Sequence, residues 1–395
     1  MPVQIVTVGD VGVRDDMIHI GDEAMFEALV TELGSRGVEV VGVSSEPAET
    51  AVRYGIDTVP RIGFDLSLGR PAADERLGRV IRAATGESTL ADDDPALTVI
   101  DAVRSSSGVA VAGGGNLAST WPVHIYERRA LVGIATALGL PSAVSGQTFG
   151  PELTGTDVDL VAELLGESRV VGAREDASAA LAARLGVPAD RLQRTVDDAS
   201  FLVDDAAADS GYLLVSLSTH LAGRDRPAFV AALASVLDRV AHDTGLEVRF
   251  HAHWAALDPS SVRGDSILHD EVRQAMKAGS EVVPTVDSAH AARLARGAGL
   301  LVTGRYHPAV FAVPAGVPTI GISTDSYTVV KLTGALGGFG QSSVLGIDAL
   351  IAGDGHGLAA QVWRDRATIR EDGIIRSISH RDASAAWWDR VAAQF

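Results

Sequence analysis

Short apolar runs alternate along the chain with stretches in which apolar residues recur every three or four positions. The runs are typical of strands in a buried parallel sheet, and the longer spacing is typical of helices that cover such a sheet. In the first half of the chain the predicted strands are residues 3–8, 38–43, 109–112, 142–145 and 169–173. In the second half they are residues 212–217, 247–251, 281–283, 300–302 and 319–322. The pattern predicts an α/β protein with two Rossmann-like domains, each with a parallel sheet, facing a cleft.

The chain of 395 residues is long enough for two domains rather than one core. The acidic stretch 204–210, which is rich in small residues, predicts the linker between them. The predicted domains are therefore 1–203 and 211–375. An amphipathic helix at 380–395 follows, and it is a candidate to cross back to the first domain.

The chain is strongly acidic, since 33 Lys and Arg residues against 51 Asp and Glu residues give a net charge of −18. Without a global basic field, nucleic acid is not expected as a partner. The lack of cysteine excludes disulfides, thiolate metal sites and cysteine nucleophiles. The sequence shows neither a basic, apolar leader nor an apolar run of the roughly 18 residues that a membrane span needs. We therefore expect a cytoplasmic protein with no integral membrane segment.

Three glycine-containing elements lie where a predicted strand ends or a predicted helix begins, at residues 21–24, 113–116 and 146–151. Glycine allows the backbone to approach a ligand closely and leaves N–H groups for an anion. Each element also has a structural explanation, as a tight turn, a cap or an acidic complement to a helix end. Because all three fall on one edge of the first sheet, they predict a ligand-binding edge. The candidate residues are Asp22, Glu23, Gly114, Gly115, Asn116 and Gln147.

Two basic residues lie close to the ends of predicted strands. Arg174 follows strand 169–173, where a guanidinium can bind a carboxylate or phosphate, or can pair with Glu175 or Asp176. Lys331, one of only two lysines in the chain, lies on a helix after the last predicted strand. It is either a ligand contact or a side chain that extends along a helix surface.

The segment around His307 combines the most reactive groups. Arg305 and His307 follow strand 300–302, and Pro308 is well suited to a first helical turn. An arginine beside an imidazole can bind an anion and move a proton, and a capping histidine is the structural alternative.

His251 and His253 have a spacing that can chelate a metal, but no third ligand follows a matching pattern. We therefore expect no metal site.

In their order along the chain these elements resemble the polysaccharide pyruvyl transferase family. The resemblance rests on the following residues: Gly21-Asp22-Glu23-Ala24, Gly113 to Leu117, Gly146-Gln147 with Gly150-Pro151, Arg174-Glu175 with Ser178, Asp198, Arg305-Tyr306-His307, Phe311-Ala312 with Gly316-Val317-Pro318, and Lys331. These residues span most of the chain.

The resemblance implies a two-domain, GT-B-like fold and transfer of a pyruvyl group from phosphoenolpyruvate to a sugar diol, which forms a ketal. By resemblance, Arg174, Arg305 and Lys331 hold the carboxylate and phosphate of phosphoenolpyruvate, and His307 is the acid/base residue. The C-terminal domain is expected on the phosphoenolpyruvate side. The N-terminal domain with its glycine elements takes the acceptor: a glycan, a glycolipid or a glycosylated small molecule. Phosphoenolpyruvate is a co-substrate, and no further cofactor is implied. A homo-oligomer is compatible with this class.

One departure from the family pattern concerns the acceptor. Relatives carry a short glycine-rich loop with an asparagine before the Gly-Asp-Glu-Ala element, whereas the loop of residues 10–20 here is longer, charged and without asparagine.

Three other functions stay open on the residues alone. They are a nucleotide-sugar glycosyltransferase with Asp287 or Asp325 at the ribose, a non-catalytic sugar- or anion-binding protein, and a metal-dependent isomerase that uses His251 and His253.

Overall fold

The computed structural model describes residues 3–203 and 211–395, so the predicted linker 204–210 lies outside the described residues. The strands are β1 (Val3–Val8), β2 (Met17–His19), β3 (Val38–Ser44), β4 (Asp57–Pro60), β5 (Gly108–Val111), β6 (Gly114–Leu117), β7 (Ser142–Phe149), β8 (Val170–Ala173), β9 (Leu192–Arg194), β10 (Tyr212–Ser216), β11 (Glu247–His251), β12 (Trp254–Ala256), β13 (Ser280–Val283), β14 (Leu300–Thr303), β15 (Thr319–Ser323) and β16 (Val344–Gly346). The α-helices are α1 (Ile20–Gly34), α2 (Pro47–Tyr54), α3 (Arg70–Ala84), α4 (Pro95–Arg104), α5 (Pro122–Ala137), α6 (Thr156–Glu167), α7 (Asp176–Arg184), α8 (Arg226–Thr244), α9 (Ser266–Ala275), α10 (Ser288–Gly297), α11 (Tyr306–Ala312), α12 (Ser326–Gly338), α13 (Ile347–Ala352), α14 (Gly355–Arg364) and α15 (Arg366–Ala392).

The chain divides into two compact units, each assembled from separate segments. Unit 1 consists of the described residues of Met1–Arg14, Met25–Asp198 and Ala383–Phe395. Unit 2 consists of the described residues of Asp15–Ala24 and Ala199–Asp382. Within these described segments, no helix has both the length and the apolar character that crossing a membrane requires.

The sheet of unit 1 is parallel, with strand order β4-β3-β1-β5-β7-β8-β9 and with β6 paired to β7. Its central strands are apolar at consecutive positions because both faces are covered. Val109 and Val111 pack into the core on one face, and Ala110 packs on the other face with Trp387 and Trp388. The strand order changes direction between β1 and β5, which is where doubly wound sheets bind ligands at the carboxyl ends of their strands.

Unit 2 repeats this topology in a parallel sheet of order β13-β11-β10-β14-β15-β16. Its change of direction lies between β10 and β14, so the carboxyl ends of these two strands form its predicted ligand edge. A separate antiparallel pair joins β2 to β12. This pair places residues 17–19, and with them the start of α1, against the segment that follows β11.

Several predicted elements differ from the observed ones. The expected glycine loop at 113–116 contains strand β6, and the strand expected at 142–145 continues to Phe149. The polar residues in this extension are accommodated because Gln147 donates through Nε2 to the Ala112 carbonyl at 2.5 Å. The expected helix at 380–395 is the last part of α15, which begins at Arg366.

Candidate functional site

The carboxyl end of β14 leads into a turn held by one hydroxyl group. The Oγ1 atom of Thr303 lies 3.0 Å from the Ser216 carbonyl oxygen and 2.7 Å from that of Arg305, and it accepts the Arg305 N–H at 3.0 Å. These contacts connect the ends of β10 and β14, the two strands at which the sheet order changes direction. The turn therefore presents residues 305–307 at the predicted ligand edge of unit 2.

Arg305 is oriented by a bidentate ion pair. Its Nε and Nη2 atoms donate to Asp265 at 2.8 and 2.5 Å, and the Asp265 side chain is fully buried. Asp265 also accepts the Trp254 N–H at 2.9 Å. Because a two-point pair fixes the plane of the guanidinium, the direction of Arg305 is set before any ligand binds.

His307 is buried at the start of α11 beside two aromatic rings. Its ring centroid lies 5.1 Å from that of Tyr306 and 6.0 Å from that of Phe311. A Cβ atom at Gly21 would overlap the imidazole, at 2.6 Å from Cε1 and 2.7 Å from Cγ. Gly21, the first residue of the Gly-Asp-Glu-Ala element, therefore gives the histidine the space that it occupies.

Lys331 lies on α12 against the same aromatic group. Its Nζ atom is 4.8 Å from the centroid of Tyr306 and 4.5 Å from that of Tyr327, and it donates to the Tyr327 hydroxyl at 3.0 Å. Cation–π contacts of this kind hold an ammonium group over a ring face. His307 and Lys331 of unit 2 therefore both contact Tyr306, and Arg305 directly precedes Tyr306 in the turn after β14.

Buried histidines lie behind this cluster. The ring of His253 lies 5.2 Å from that of His251 and 5.9 Å from that of Phe311. Burial, followed by the nearby charges of His251, His307 and Arg305, holds the pKa of His253 well below its usual value. Burial also lowers the pKa of His251 to about 3, with a further contribution from His290. Both imidazoles are therefore neutral at physiological pH. In the described part of the chain, no three His, Asp or Glu side chains are grouped to hold a metal ion.

The candidate residues of the second and third glycine elements lie in unit 1, on β6 and β7. Asn116 donates through Nδ2 to Asp10, and Gly114 passes so close to Gln147 that a Cβ atom there would lie 2.9 Å from Nε2. Gly115 lies between Gly114 and Asn116 on β6 and is buried. The Gln147 side chain stabilises the fold by its hydrogen bond to the Ala112 carbonyl, while Asn116 lies at the edge where β1 and β5 end.

Arg174 also belongs to unit 1, and its side chain is fully buried. It donates through Nη1 to Asp197 at 2.6 Å and through Nε to the Thr148 hydroxyl at 2.8 Å, and it lies 3.6 Å from Glu175. The structural alternative predicted from sequence, an ion pair with Glu175, is present, but the closer partner is Asp197, which the sequence did not indicate. A role of Arg174 at phosphoenolpyruvate stays a prediction.

Asp198, which follows Asp197 in the chain, is a buried acid beside Gly146 of the third glycine element. Its Oδ1 atom accepts the Ser145 hydroxyl at 3.0 Å, and a Cβ atom at Gly146 would lie 2.6 Å from its Cγ. Burial, with the neighbouring charge of Asp197, raises the pKa of Asp198 to about 8. This carboxyl therefore holds a proton at neutral pH.

The acidic residues of the first glycine element lie in unit 2. Asp22 is 2.8 Å from Nδ1 of His19, one turn earlier, and Glu23 is buried. Sequence reasoning missed Asp265, because this residue lies 40 positions before Arg305 and no local pattern connects the two. It also missed Tyr327, although the spacing of four residues to Lys331 on one helix was a usable signal.

The comparison with family models decides the assignment. The model described as polysaccharide pyruvyl transferase matches residues 19–326, which is most of the chain. The chain belongs to the polysaccharide pyruvyl transferase family. The match begins just before Gly21, includes the cluster around His307, and ends before Lys331. A search of curated proteins finds no matching relative.

Solved structures of low sequence identity share the fold of this family member. S. aureus MnaA with UDP has a TM-score of 0.58 at 12% identity, over 94% of this chain and 91% of that chain. UDP-GlcNAc 2-epimerase from Neisseria meningitidis, bound to UDP-GlcNAc, has a TM-score of 0.58 at 10% identity and covers 94% of each chain. MurG from Acinetobacter baumannii has a TM-score of 0.56 at 13% identity and covers 99% of each chain. The fold is of the GT-B class, with two Rossmann-like α/β units and parallel sheets.

Proposed function

We propose that this protein transfers the pyruvyl group of phosphoenolpyruvate to two hydroxyl groups of a sugar, forming a pyruvate ketal and releasing phosphate. The observation that carries the proposal is the cluster of three groups near the ligand edge of unit 2: Arg305 is held by Asp265 in the turn after β14, and His307 and Lys331 contact the ring of Tyr306, the next residue. Family membership supports a transferase, and the cluster supports this particular donor.

The charges of the cluster suit phosphoenolpyruvate. The donor carries a carboxylate and a phosphate, so a chain with net charge −18 must collect cations locally to bind it. Arg305 has its Nε–Nη2 edge held by Asp265, and Nη1 is not part of that pair. Lys331 adds an ammonium over the ring of Tyr306. Arginine and lysine together can neutralise both anionic groups and stabilise phosphate as it leaves.

The chemistry needs one group that moves protons. A proton is added to C3 of phosphoenolpyruvate, the first sugar hydroxyl attacks C2, phosphate leaves, and the second hydroxyl closes the ketal. Of the two hydroxyl protons, one balances the new methyl group and the other leaves with phosphate. We assign the proton transfer to His307, whose position against Gly21 and Phe311 fixes its ring.

The test is phosphate release from phosphoenolpyruvate with a panel of glycosides, followed by mass spectrometry of the product. His307→Ala should lower kcat by about 10²- to 10⁴-fold, the contribution typical of a general acid–base group, with little change in the Kd of phosphoenolpyruvate. His356→Ala is the matched control, because His356 is an exposed histidine of the same unit. Near-normal turnover of His307→Ala would end the assignment of His307.

Arg305→Lys separates binding from chemistry. Lysine keeps the charge but cannot form the two-point pair with Asp265, so we expect a higher KM for phosphoenolpyruvate and a smaller effect on kcat. An unchanged KM would remove Arg305 from the donor site.

The nucleotide-sugar alternative depended on Asp287 or Asp325 as a ribose ligand. Both carboxylates cap helices: Asp287 accepts the His290 N–H at 2.6 Å, and Asp325 accepts the Thr328 N–H at 2.8 Å. Two of the similar structures contain UDP or UDP-GlcNAc, so thermal-shift measurements should compare phosphoenolpyruvate with UDP-sugars. A shift by phosphoenolpyruvate alone supports the proposed donor, and a shift by a UDP-sugar alone contradicts it. We propose that the reaction needs no cofactor beyond this co-substrate. The proposed acceptor is a glycan, a glycolipid or a glycosylated small molecule, and the proposed location is the cytoplasm.

A further inference from the structure

Unit 1 has a ligand edge of its own, where its strand order changes direction between β1 and β5. Asp10 follows β1, Arg61 follows β4 directly, and Asn116 is on β6. His124 and Arg128 lie one turn apart in the first half of α5. We call these five residues the Asp10 cluster, because the other four converge on the Asp10 carboxylate. The sequence pattern did not single out the basic members.

The contacts within the Asp10 cluster are direct. Arg61 donates through Nη2 to Oδ1 of Asp10 at 3.0 Å, and Arg128 donates through Nη2 to Oδ2 at 2.9 Å. Nδ1 of His124 lies 2.9 Å from Oδ1, and the Asn116 amide donates to Oδ2. Burial alone would raise the pKa of Asp10, but Arg128, His124 and Arg61 hold that pKa well below its usual value.

The cluster has more donors than Asp10 can accept from. The Nε–H groups of Arg61 and Arg128 are buried and have no hydrogen-bond partner among the described residues. In a guanidinium, Nε shares an edge with Nη2, so both unused N–H groups are on the edges that face Asp10. Oδ1 of Asn116 is likewise a buried acceptor without a partner in the described part of the chain. Buried polar atoms are rarely left unpaired unless a ligand or water completes them.

The charge of the Asp10 cluster and its partial exposure both favour an anionic ligand. Two guanidinium groups face one carboxylate, which leaves an excess positive charge in a chain of net charge −18. Arg128 is fully buried, while the side chains of Arg61 and His124 are 26% and 21% exposed. A ligand can therefore reach the cluster from the side of Arg61 and His124.

We propose that the Asp10 cluster binds an oxyanion of the acceptor, and that the acceptor is an acidic sugar carrying a carboxylate or a phosphate beside a hydroxyl group. The oxyanion takes the unused N–H groups of Arg61 and Arg128, and the hydroxyl donates to Oδ1 of Asn116. As an acceptor site this inference rests on the proposed function, which it extends by naming the acceptor class.

Isothermal titration of the full chain without phosphoenolpyruvate tests the site. Methyl glucuronide and methyl galacturonide probe for carboxylate binding, and glucose 1-phosphate and galactose 1-phosphate probe for phosphate binding. Methyl glucoside and methyl galactoside are the neutral probes for comparison. We expect one acidic class to bind at least about 10-fold more tightly than the neutral glycoside of the same configuration. The carboxylate and phosphate arms show which anion the cluster takes.

Arg61→Gln should weaken binding of the preferred acidic probe by about 10- to 100-fold and leave the neutral glycosides unchanged, because it removes one charged donor. Arg61→Lys should recover part of the loss. Arg79→Gln is the matched control, because it removes an exposed arginine of unit 1. Added salt should weaken the wild-type interaction with acidic probes only.

Equal binding of acidic and neutral glycosides, no binding by any acidic probe, or an Arg61→Gln variant with wild-type affinity would each overturn the inference. Phosphate release measured on the same variants distinguishes this failure from that of the proposed function. Turnover with neutral acceptors alone would contradict the acidic acceptor but support the donor. Tight acidic-sugar binding without phosphoenolpyruvate-dependent turnover would support the anion site and contradict the proposed reaction.

Discussion

Gly21 illustrates how a missing side chain can position a reactive one. The residue is at the start of α1, and the imidazole of His307 fills the space that a Cβ atom would take. From sequence, the Gly-Asp-Glu-Ala element is a helix start whose acidic residues either complement the helix end or contact a ligand. Its glycine has a more specific effect in the structure, because it lets a distant histidine pack against the helix backbone.

Gly21→Ala should displace the His307 ring and lower kcat with an intact fold. If His307 moves protons, the expected loss approaches that of His307→Ala, about 10²-fold or more. Gly34→Ala, on the same helix and with open space around it, is the control and should keep wild-type activity. The measurement is phosphate release together with circular dichroism, and full activity of Gly21→Ala would contradict the packing described here.

Asp198 makes stability depend on pH. Its pKa of about 8 in the folded protein lies far above the usual value of 3.8, because of burial and the charge of Asp197. Below about pH 4 the carboxyl is protonated in both the folded and the unfolded chain. Between about pH 4 and 8 only the folded protein keeps the proton, so the free energy of unfolding falls as pH rises, and above about pH 8 the penalty is complete.

Asp198→Asn should remove this dependence. The amide is nearly isosteric and cannot ionise, so the variant should gain stability over wild type between pH 5 and pH 8.5, by on the order of a few kcal/mol. Urea unfolding at several pH values measures the difference, with Asp92→Asn as a control at an exposed position of the same unit. Parallel curves for wild type and Asp198→Asn would show that Asp198 ionises normally.

At the scale of elements, the end of α15 completes the core of unit 1. The Trp387 ring packs so close to Gly172 on β8 that a Cβ atom there would lie 2.7 Å from Cζ2. Its Nε1 atom donates to the Ser145 hydroxyl at 2.9 Å, and that hydroxyl donates to Asp198. The end of the helix thus covers one face of the sheet and is linked to the buried Asp198 through the Ser145 hydroxyl.

Trp387→Ala should destabilise unit 1 by about 3–5 kcal/mol, since it removes a fully buried indole and leaves a cavity. Hydrogen–deuterium exchange should show faster exchange in β5 and β8, with unit 2 as an internal reference. Ile378→Ala on the same helix is the control, because its side chain is 64% exposed and its loss should change stability by less than about 0.5 kcal/mol. Unchanged exchange in unit 1 would mean that the helix end contributes little.

The elements show what the sequence could predict. Apolar runs predicted β1 and β14 closely, because strands covered on both faces are apolar at every position. The same rule missed β6 and the second half of β7, since these strands are polar and glycine-rich and depend on side-chain hydrogen bonds. At the site, Arg305, His307 and Lys331 were singled out from sequence. Asp265 was not, because only the folded sheet brings it to Arg305.

At the scale of the whole molecule, one strand order occurs twice. Each unit has its change of direction at its central strands, and each carries basic side chains at that edge: Arg305 and His307 in unit 2, and the Asp10 cluster in unit 1. A chain with net charge −18 thus has basic side chains at the corresponding edge of both sheets, which is the basis of the two proposed anion sites. The prediction of two Rossmann-like domains was confirmed because strand alternation over a long chain is a robust signal.

The segment Ala383–Phe395 also imposes an order on biosynthesis. A domain encoded by one continuous stretch can fold on the ribosome while the next is still being translated. Unit 1 cannot, because its last segment is made only after all of unit 2. We therefore expect the nascent chain to expose the apolar face around Ala110 and Val170 until Trp387 and Trp388 emerge, which makes that face a target for chaperones during translation.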